Sequence, residues 1–229
     1  MELIRNIPLE LEVPALLEKV RIDPESDDAR DIEALVQSAR AVVDPKAVYE
    51  TSSVQPGEGD TVLMNGVTFE SRVLRALTVD AGQAFPFIIT CGSELDGITL
   101  PPDDFMKQFW LDSIKELALR AAMDHFTHHI QEKFGFDQVS SMSPGSGSGD
   151  LWPLEQQTIL FSIFKDTEAL MGVRLTDSCL MIPNKTVSGI LFPTETKFEN
   201  CQLCNREKCQ ERKAPFDQNL WDAFHHDNP

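Results

Sequence analysis

Apolar residues recur along the chain in two rhythms, one helical and one alternating, and their order lays out the elements. Ile32, Leu35, Val36, Ala39 and Val43 return at helical spacing behind Asp27 and Asp28, either of which can cap the helix, and Asp44-Pro45 ends it. Ala47 to Val54 reads as a short strand, and Gln55-Pro-Gly-Glu-Gly59 as a turn. Thr61-Val-Leu-Met64 and Val67-Thr-Phe69 flank Asn65-Gly66, the commonest two-residue hairpin signal. Glu70 to Thr78 is helical in pattern, and Phe85-Pro-Phe-Ile-Ile-Thr-Cys91 reads as a buried strand closed by Gly92.

Asp103 or Asp104 caps the longest helix, which runs to about Lys133 with Met106, Trp110, Ile114, Leu117 and Ala121 as its inward stripe. Ser140 to Gly149 is rich in Ser, Gly and Pro and reads as a loop. Leu151-Trp152-Pro153 opens another helix, with Pro153 suited to its first position and Gly172 at its end. Two strand-like segments follow, Val173 to Ile182 and Thr186 to Phe192, joined by Pro183-Asn184-Lys185. Helices and strands mixed without strict alternation predict an α+β domain.

Charge narrows the function. The 229 residues carry 20 Lys+Arg against 37 Asp+Glu, a formal net charge of −17. Such a balance argues against nucleic-acid binding, which needs a surplus of Lys and Arg, and against docking on an anionic membrane. No apolar run approaches the roughly 18 uncharged residues of a membrane span. Glu2, Arg5, Glu10, Glu12, Glu18 and Lys19 interrupt the first segment where an export signal would be apolar, so the expected location is cytoplasmic. The acidic group from Asp23 to Glu33 reads as a solvated helix start.

The sharpest chemical feature is Cys201-x2-Cys204-x4-Cys209. Cysteines two residues apart can aim both sulfurs at one metal or one iron–sulfur cluster. Arg206, Lys208, Arg212 and Lys213 surround them, and nearby cations favour the thiolate that ligates. A fourth ligand is needed; Cys91, next to Gly92, is preferred over Cys179, which suits a buried strand position. All-cysteine ligation favours a [4Fe–4S] cluster, whereas His225 or His226 as fourth ligand would favour zinc. His225-His226 themselves fall in a tail that reads as disordered. His125, His128 and His129 read as histidines at the end of a partly buried helix, and no Glu follows His125 to complete a His-Glu-x-x-His motif. No Gly-x-Ser-x-Gly elbow is present, and no catalytic residue is assigned.

Ser143-Pro-Gly-Ser-Gly-Ser-Gly-Asp150 leads directly into the Trp152-Pro153 helix. Glycines there let backbone N–H groups approach a ligand; the loop lacks a Walker lysine and misses the dinucleotide fingerprint by one residue. Downstream come Leu175-Thr-Asp-Ser178, Met181-Ile-Pro183 and Val187-Ser-Gly189. In this order the segments resemble the activation domain of cobalamin-dependent methionine synthase, which carries a Pro-Gly loop, a helix, a Leu-Thr-acidic-Ser strand, a Met-x-Pro and a Val-Ser-Gly strand. The resemblance runs from about Ser141 to Lys197 and extends back through the long helix from Asp104.

The resemblance implies a single curved α+β domain over 1–198, with a mainly antiparallel central sheet and long flanking helices. Residues 199–229 are then an added cysteine-rich tail packed on it. It implies an S-adenosylmethionine site at Ser143, Pro144, Gly145, Ser146, Gly147 and Gly149, flanked by Phe198 where the family has a Tyr. It also implies a role in reductive reactivation of cobalamin. No Asp-x-His-x-x-Gly segment is present, so the corrinoid would belong to a partner, a corrinoid-carrying protein or methyltransferase. A cluster in the tail could relay the electron that reductive methylation consumes. Ser141 stands where the family has Arg, and Arg120 where it has Glu, which removes two charge-assisted ligand contacts. The competing reading is a metal-stabilised protein-binding module without redox or methyl-transfer activity.

Overall fold

A computed structural model describes the chain except Glu10, Asp150, Gln210, Glu211 and 226–229. Its centre is β6 (Gln83–Thr90), which pairs antiparallel along both edges. On one edge lie β2 (Lys46–Tyr49) and then β3 (Ser52–Pro56), with Lys46 opposite Thr90 and Ser52 opposite Ala84. On the other edge lies β10 (Thr186–Pro193), with Thr186 opposite Thr90, and beyond it β7 (Val139–Met142). β1 (Glu2–Ile4) extends the sheet past β2, and the hairpin β4 (Thr61–Met64)–β5 (Val67–Glu70) extends it past β3. The domain is α+β with an antiparallel sheet.

Alternation along β6 gives the sheet two apolar faces. Phe85, Phe87 and Ile89 meet Ala122, Phe126 and Ile130 of α4 (Phe105–Phe134). The opposite face carries Ala84 and Ile88. Ile88 packs on Phe164, Met171 and Val173, while Ala84, Ile190 and Phe192 join Trp152 and Leu160. The start of α4 packs instead on α1 (Val13–Val20) and α2 (Asp27–Arg40) through Trp110, Ile114 and Ala118. The buried stripe of α4 is thus Trp110, Ile114, Ala118, Ala122, Phe126 and Ile130. Steps of four drift around a 3.6-residue helix, so one stripe serves α1 and α2 first and the sheet later. Met106 of the expected stripe is 51% exposed, one turn before that contact begins.

Local chemistry explains the other boundaries. Ser26, not an aspartate, caps α2 by accepting the Ala29 N–H at 3.2 Å, and Ser71 caps α3 (Arg72–Thr78) through Leu74. Asn65 and Gly66, at φ 51° and 78°, make the expected hairpin turn. Three expectations are corrected. The strand expected over Ala47 to Val54 is two strands; the loop expected from Ser140 begins with β7; and the helix expected to Gly172 is broken. That helix comprises a 3₁₀ turn (Leu154–Gln156), α5 (Gln157–Ile163) and α6 (Thr167–Met171), because Asp166 recaps the chain by accepting the Ala169 N–H at 2.9 Å. Val173 to Ile182 holds only the short β8 (Arg174–Leu175) and β9 (Met181–Ile182). Among the described residues no helix is long and apolar enough to cross a membrane.

Gly189 is where β10 and β7 approach: a Cβ there would lie 2.5 Å from the Met142 carbonyl oxygen and 2.8 Å from Ser143 Oγ. Gly189→Ala is expected to destabilise the domain by about 1–3 kcal/mol through overpacking. A urea titration checks this, and an unchanged midpoint would show that the two strands have room to part.

Candidate functional site

The site is built on Trp152, fully buried, with its ring edge-on to Phe69 at 5.8 Å and 85°. Its Nε1–H donates to Gln156 Oε1 at 3.1 Å, one helical turn on. The same oxygen accepts the Glu70 N–H at 2.9 Å, and Gln156 Nε2 donates to the Glu70 carbonyl at 2.7 Å. Ser71 Oγ donates to the Leu151 carbonyl at 2.7 Å. One buried amide and one hydroxyl therefore bind the β5–α3 junction to the end of the glycine loop.

The loop itself is folded on internal contacts. Gly145 and Gly147 sit at φ 76° and 75°, a region costly for any residue with a Cβ. The Gly145 N–H reaches the Trp152 carbonyl at 2.8 Å, and Ser146 bonds the Ser143 carbonyl through its N–H at 3.1 Å and its hydroxyl at 2.5 Å. Pro144 is buried, Ser143 and Ser146 are half-buried, and Gly145 and Gly149 are exposed. Gly149 has a negative φ and open space where a Cβ would be. Pro153 precedes the 3₁₀ turn rather than occupying its first position.

The structure brings the glycine loop and the cysteine-bearing tail together. Asn200–Leu203 form a 3₁₀ turn whose Leu203 side chain enters the Trp152 cluster. A Cβ on Gly147 would meet the Leu203 and Asn200 carbonyl oxygens at 3.4 and 3.6 Å, and Asn200 Nδ2 donates to the Ser141 carbonyl at 3.2 Å. The described part of the tail includes α7 (Gln218–His225), so His225 is helical, and Leu220 and Phe224 pack on the same cluster. His225 stacks on Trp221 at 3.6 Å with Nδ1 2.9 Å from the Trp221 carbonyl. A carbonyl only accepts, so Nδ1 donates, and in the neutral ring Nε2 is left to accept from Ser148 Oγ at 3.3 Å. His226 lies outside the described residues.

Phe198 lies in the cluster beneath the loop, and Arg120 lies on the other face of the sheet. Phe198 is 6% exposed inside the core, tied by its N–H to Ser140 Oγ at 2.8 Å, and so presents no face to an open site. Arg120 lies on α4, across the sheet from the Trp152 cluster, in an ion pair with Glu116 at 3.4 Å.

The cysteines are organised by a guanidinium. Arg212 donates to the carbonyls of Cys201 at 3.0 Å, Cys204 at 3.2 Å and Ala214 at 3.3 Å, and to that of Arg206. Cys201 and Cys204 are half-buried, Cys209 is exposed, and Cys201 Sγ accepts the Lys213 N–H at 3.4 Å. Among the described residues no three His, Cys, Asp or Glu side chains converge as a metal set. Cys91, the expected fourth ligand, belongs to the α1–α2–α4 core with Ile32, Leu95 and Trp110, a different cluster from the one Leu203 enters. Cys179 is in a turn at φ 61°, not in a strand. His129 meets the Tyr49 hydroxyl at 3.3 Å, and burial first, then Lys133, holds its pKa below the usual histidine range. His128 pairs with Glu132 at 3.1 Å.

Two hollows bear on ligand binding. A cavity of about 340 Å³ opens between the β5–α3 junction, the end of the glycine loop and α7. A larger open groove of about 860 Å³ lies between α3, the turn after α4 and Pro193–Glu195, and touches none of the residues singled out by the sequence. The smaller one is lined by Leu151 and Pro153, which directly follow the loop, and is the better candidate.

No family model matches the chain, and no curated protein matches it either. Among solved structures it is similar to the MetH reactivation domain bound to AdoHcy, with a TM-score of 0.54 and 13% identity, over 87% of this chain and 81% of that one. The fold is thus that of a methionine synthase reactivation domain.

Gln156→Leu is expected to cost about 2 kcal/mol, because it leaves the buried Trp152 N–H unpaired and removes both half-buried bonds to the Glu70 backbone. A loss under half that in chemical denaturation would show that the amide is not the joint. Burial pushes the Cys91 thiol up to about 12, so at pH 8 it stays protonated and unreactive. Thiol titration of folded protein should leave Cys91 unmodified until denaturant is added; its rapid labelling at pH 8 would contradict this burial.

Proposed function

We propose that this chain is an accessory protein of corrinoid-dependent methyl transfer. It would bind a corrinoid-carrying protein or methyltransferase and assist reductive reactivation of that partner's cobalamin. At the glycine loop it would hold a ligand of the S-adenosylmethionine and S-adenosylhomocysteine class. The observation that carries this reading is the shared fold, which spans 87% of the chain; a cavity lined by Leu151 and Pro153 opens just after the loop. Ser143, Pro144, Gly145, Ser146, Gly147 and Gly149 would supply backbone polar groups to the ligand. Ser141 and Arg120 do not provide the family's charged contacts, so binding would be weaker than in a complete site or would draw charge from elsewhere.

Cys201, Cys204 and Cys209 would hold a metal, an iron–sulfur cluster or zinc, only after residues 204–209 close toward Cys201. The Lys213 N–H on Cys201 Sγ favours this reading, because hydrogen bonds to sulfur stabilise a ligating thiolate. Cys91 would not take part.

Calorimetry with S-adenosylmethionine and S-adenosylhomocysteine, on protein purified anaerobically and assayed for iron, sulfide and zinc, tests the proposal. Binding of either nucleoside at micromolar to millimolar concentration is expected. No heat with either ligand, on protein carrying stoichiometric metal, would overturn the methyl-transfer reading and leave the metal-stabilised binding module.

A further inference from the structure

The open groove of about 860 Å³ lies away from the glycine loop, and its charges are all of one sign. Three segments form it: the end of α3, the turn after α4 and the stretch that follows β10. Its apolar surface comes from Leu77, Phe136 and Pro193, each half-buried. Each segment also brings one exposed carboxylate, Asp80, Asp137 and Glu195, and no Lys, Arg or His lines the groove. None of the three carboxylates has an ion pair among the described residues. Cations close to them in sequence are committed elsewhere, Lys133 to Glu2 and Lys197 to Glu199 at 3.0 Å. Arg75, earlier in α3, does not line the groove.

This placement runs against helix electrostatics. α3 ends at Thr78, just before Asp80, and α4 ends at Phe134, capped by Gly135 at φ 72°, just before Asp137. The C-terminal end of a helix carries partial negative charge and favours a cation, so a carboxylate there is repelled. Side chains and backbone thus make the groove negative together. Residues that oppose their own helix ends are better explained by what they bind than by the fold. Gln138 adds a donor, since it lines the groove and its buried Nε2 has no hydrogen-bond partner.

A bare metal ion does not match this arrangement, because no three such groups converge as a metal set among the described residues. Positive charge must instead arrive on spaced groups, with something apolar between them to cover Leu77, Phe136 and Pro193. We propose that the groove docks an extended segment of a partner protein that carries Lys or Arg on either side of an apolar residue. Its basic groups would pair with Asp80, Asp137 and Glu195, and one of its backbone carbonyls would take the Gln138 donor. The inference is independent of the adenosyl-ligand reading and holds whether or not the glycine loop binds a nucleoside.

Calorimetry of the full chain with the peptide acetyl-Lys-Leu-Lys-Leu-Lys-amide at low salt tests it. Combining Asp80→Asn, Asp137→Asn and Glu195→Gln should weaken the peptide about tenfold. A control with the same change of charge, Glu25→Gln, Asp28→Asn and Glu33→Gln, lies around α2, which packs on the start of α4 and not on its end. It should leave the affinity within about twofold. The groove variant should unfold in urea at the same midpoint or a higher one, since its carboxylates do not serve the fold. Equal weakening in the two variants would reduce the attraction to net charge and overturn the inference. A lowered midpoint in the groove variant, or no binding of millimolar peptide to the unaltered protein, would overturn it too. Spermidine binding without peptide binding would assign the groove to a small polycation and likewise overturn it.

Discussion

The arrangement of this domain around its site depends on one buried amide. Gln156 is 8% exposed and answers three groups at once, the Trp152 indole N–H and both backbone groups of Glu70. The buried indole N–H alone would cost about 1–3 kcal/mol if left unpaired, so the joint is more stable made than broken. It joins segments 86 residues apart, the end of a hairpin and the start of a helix. The glycine loop hangs from one side of it through the Gly145–Trp152 hydrogen bond, and the β5–α3 junction hangs from the other. Because the amide bonds backbone rather than side chain at Glu70, the carboxylate is left to face the cavity.

The two faces of the sheet divide the work. On the α4 face Phe85, Phe87 and Ile89 are sealed under a 30-residue helix, and Cys91 at the end of that strand is a small apolar residue with a suppressed thiolate. On the opposite face lie short, interrupted helices, a loop with two left-handed glycines, and the tail that turns back over it. Regular packing on one side supports irregular backbone on the other, the usual way a rigid scaffold presents a binding loop.

Much of the fold was legible where its causes are local. The Asn65-Gly66 turn, the Asp104 cap and the apolar run of β6 each carry their own signal, and the α+β class followed from the mixed order of such elements. β7 was not legible, since Val139-Ser-Ser-Met142 has one apolar residue at each end and is a strand only because β10 pairs with it. Nor was the break before Asp166, which is a single capping carboxylate inside a continuous apolar pattern. α7 has no buried residue of its own and gains its face from the Trp152 cluster, so its sequence looked like a tail. The same distinction holds at the site. Glycine spacing disclosed the loop and the cysteine triplet stood out by itself, but their meeting at Gly147, the role of Gln156 and the burial of Cys91 in another cluster are long-range facts. A Gln one turn after a Trp is the only local hint of the amide joint.

The central claim is that the glycine loop, the β5–α3 junction and the cysteine-bearing turn, joined through Ser71, Gln156 and Gly147, act as one site. Hydrogen exchange read by mass spectrometry, with and without saturating S-adenosylhomocysteine, tests it most directly. Slower exchange is predicted together in segments 141–149, 69–75 and 200–204, with the α4 peptides unchanged. Protection confined to another region, or protection of the loop without the other two, would contradict the claim.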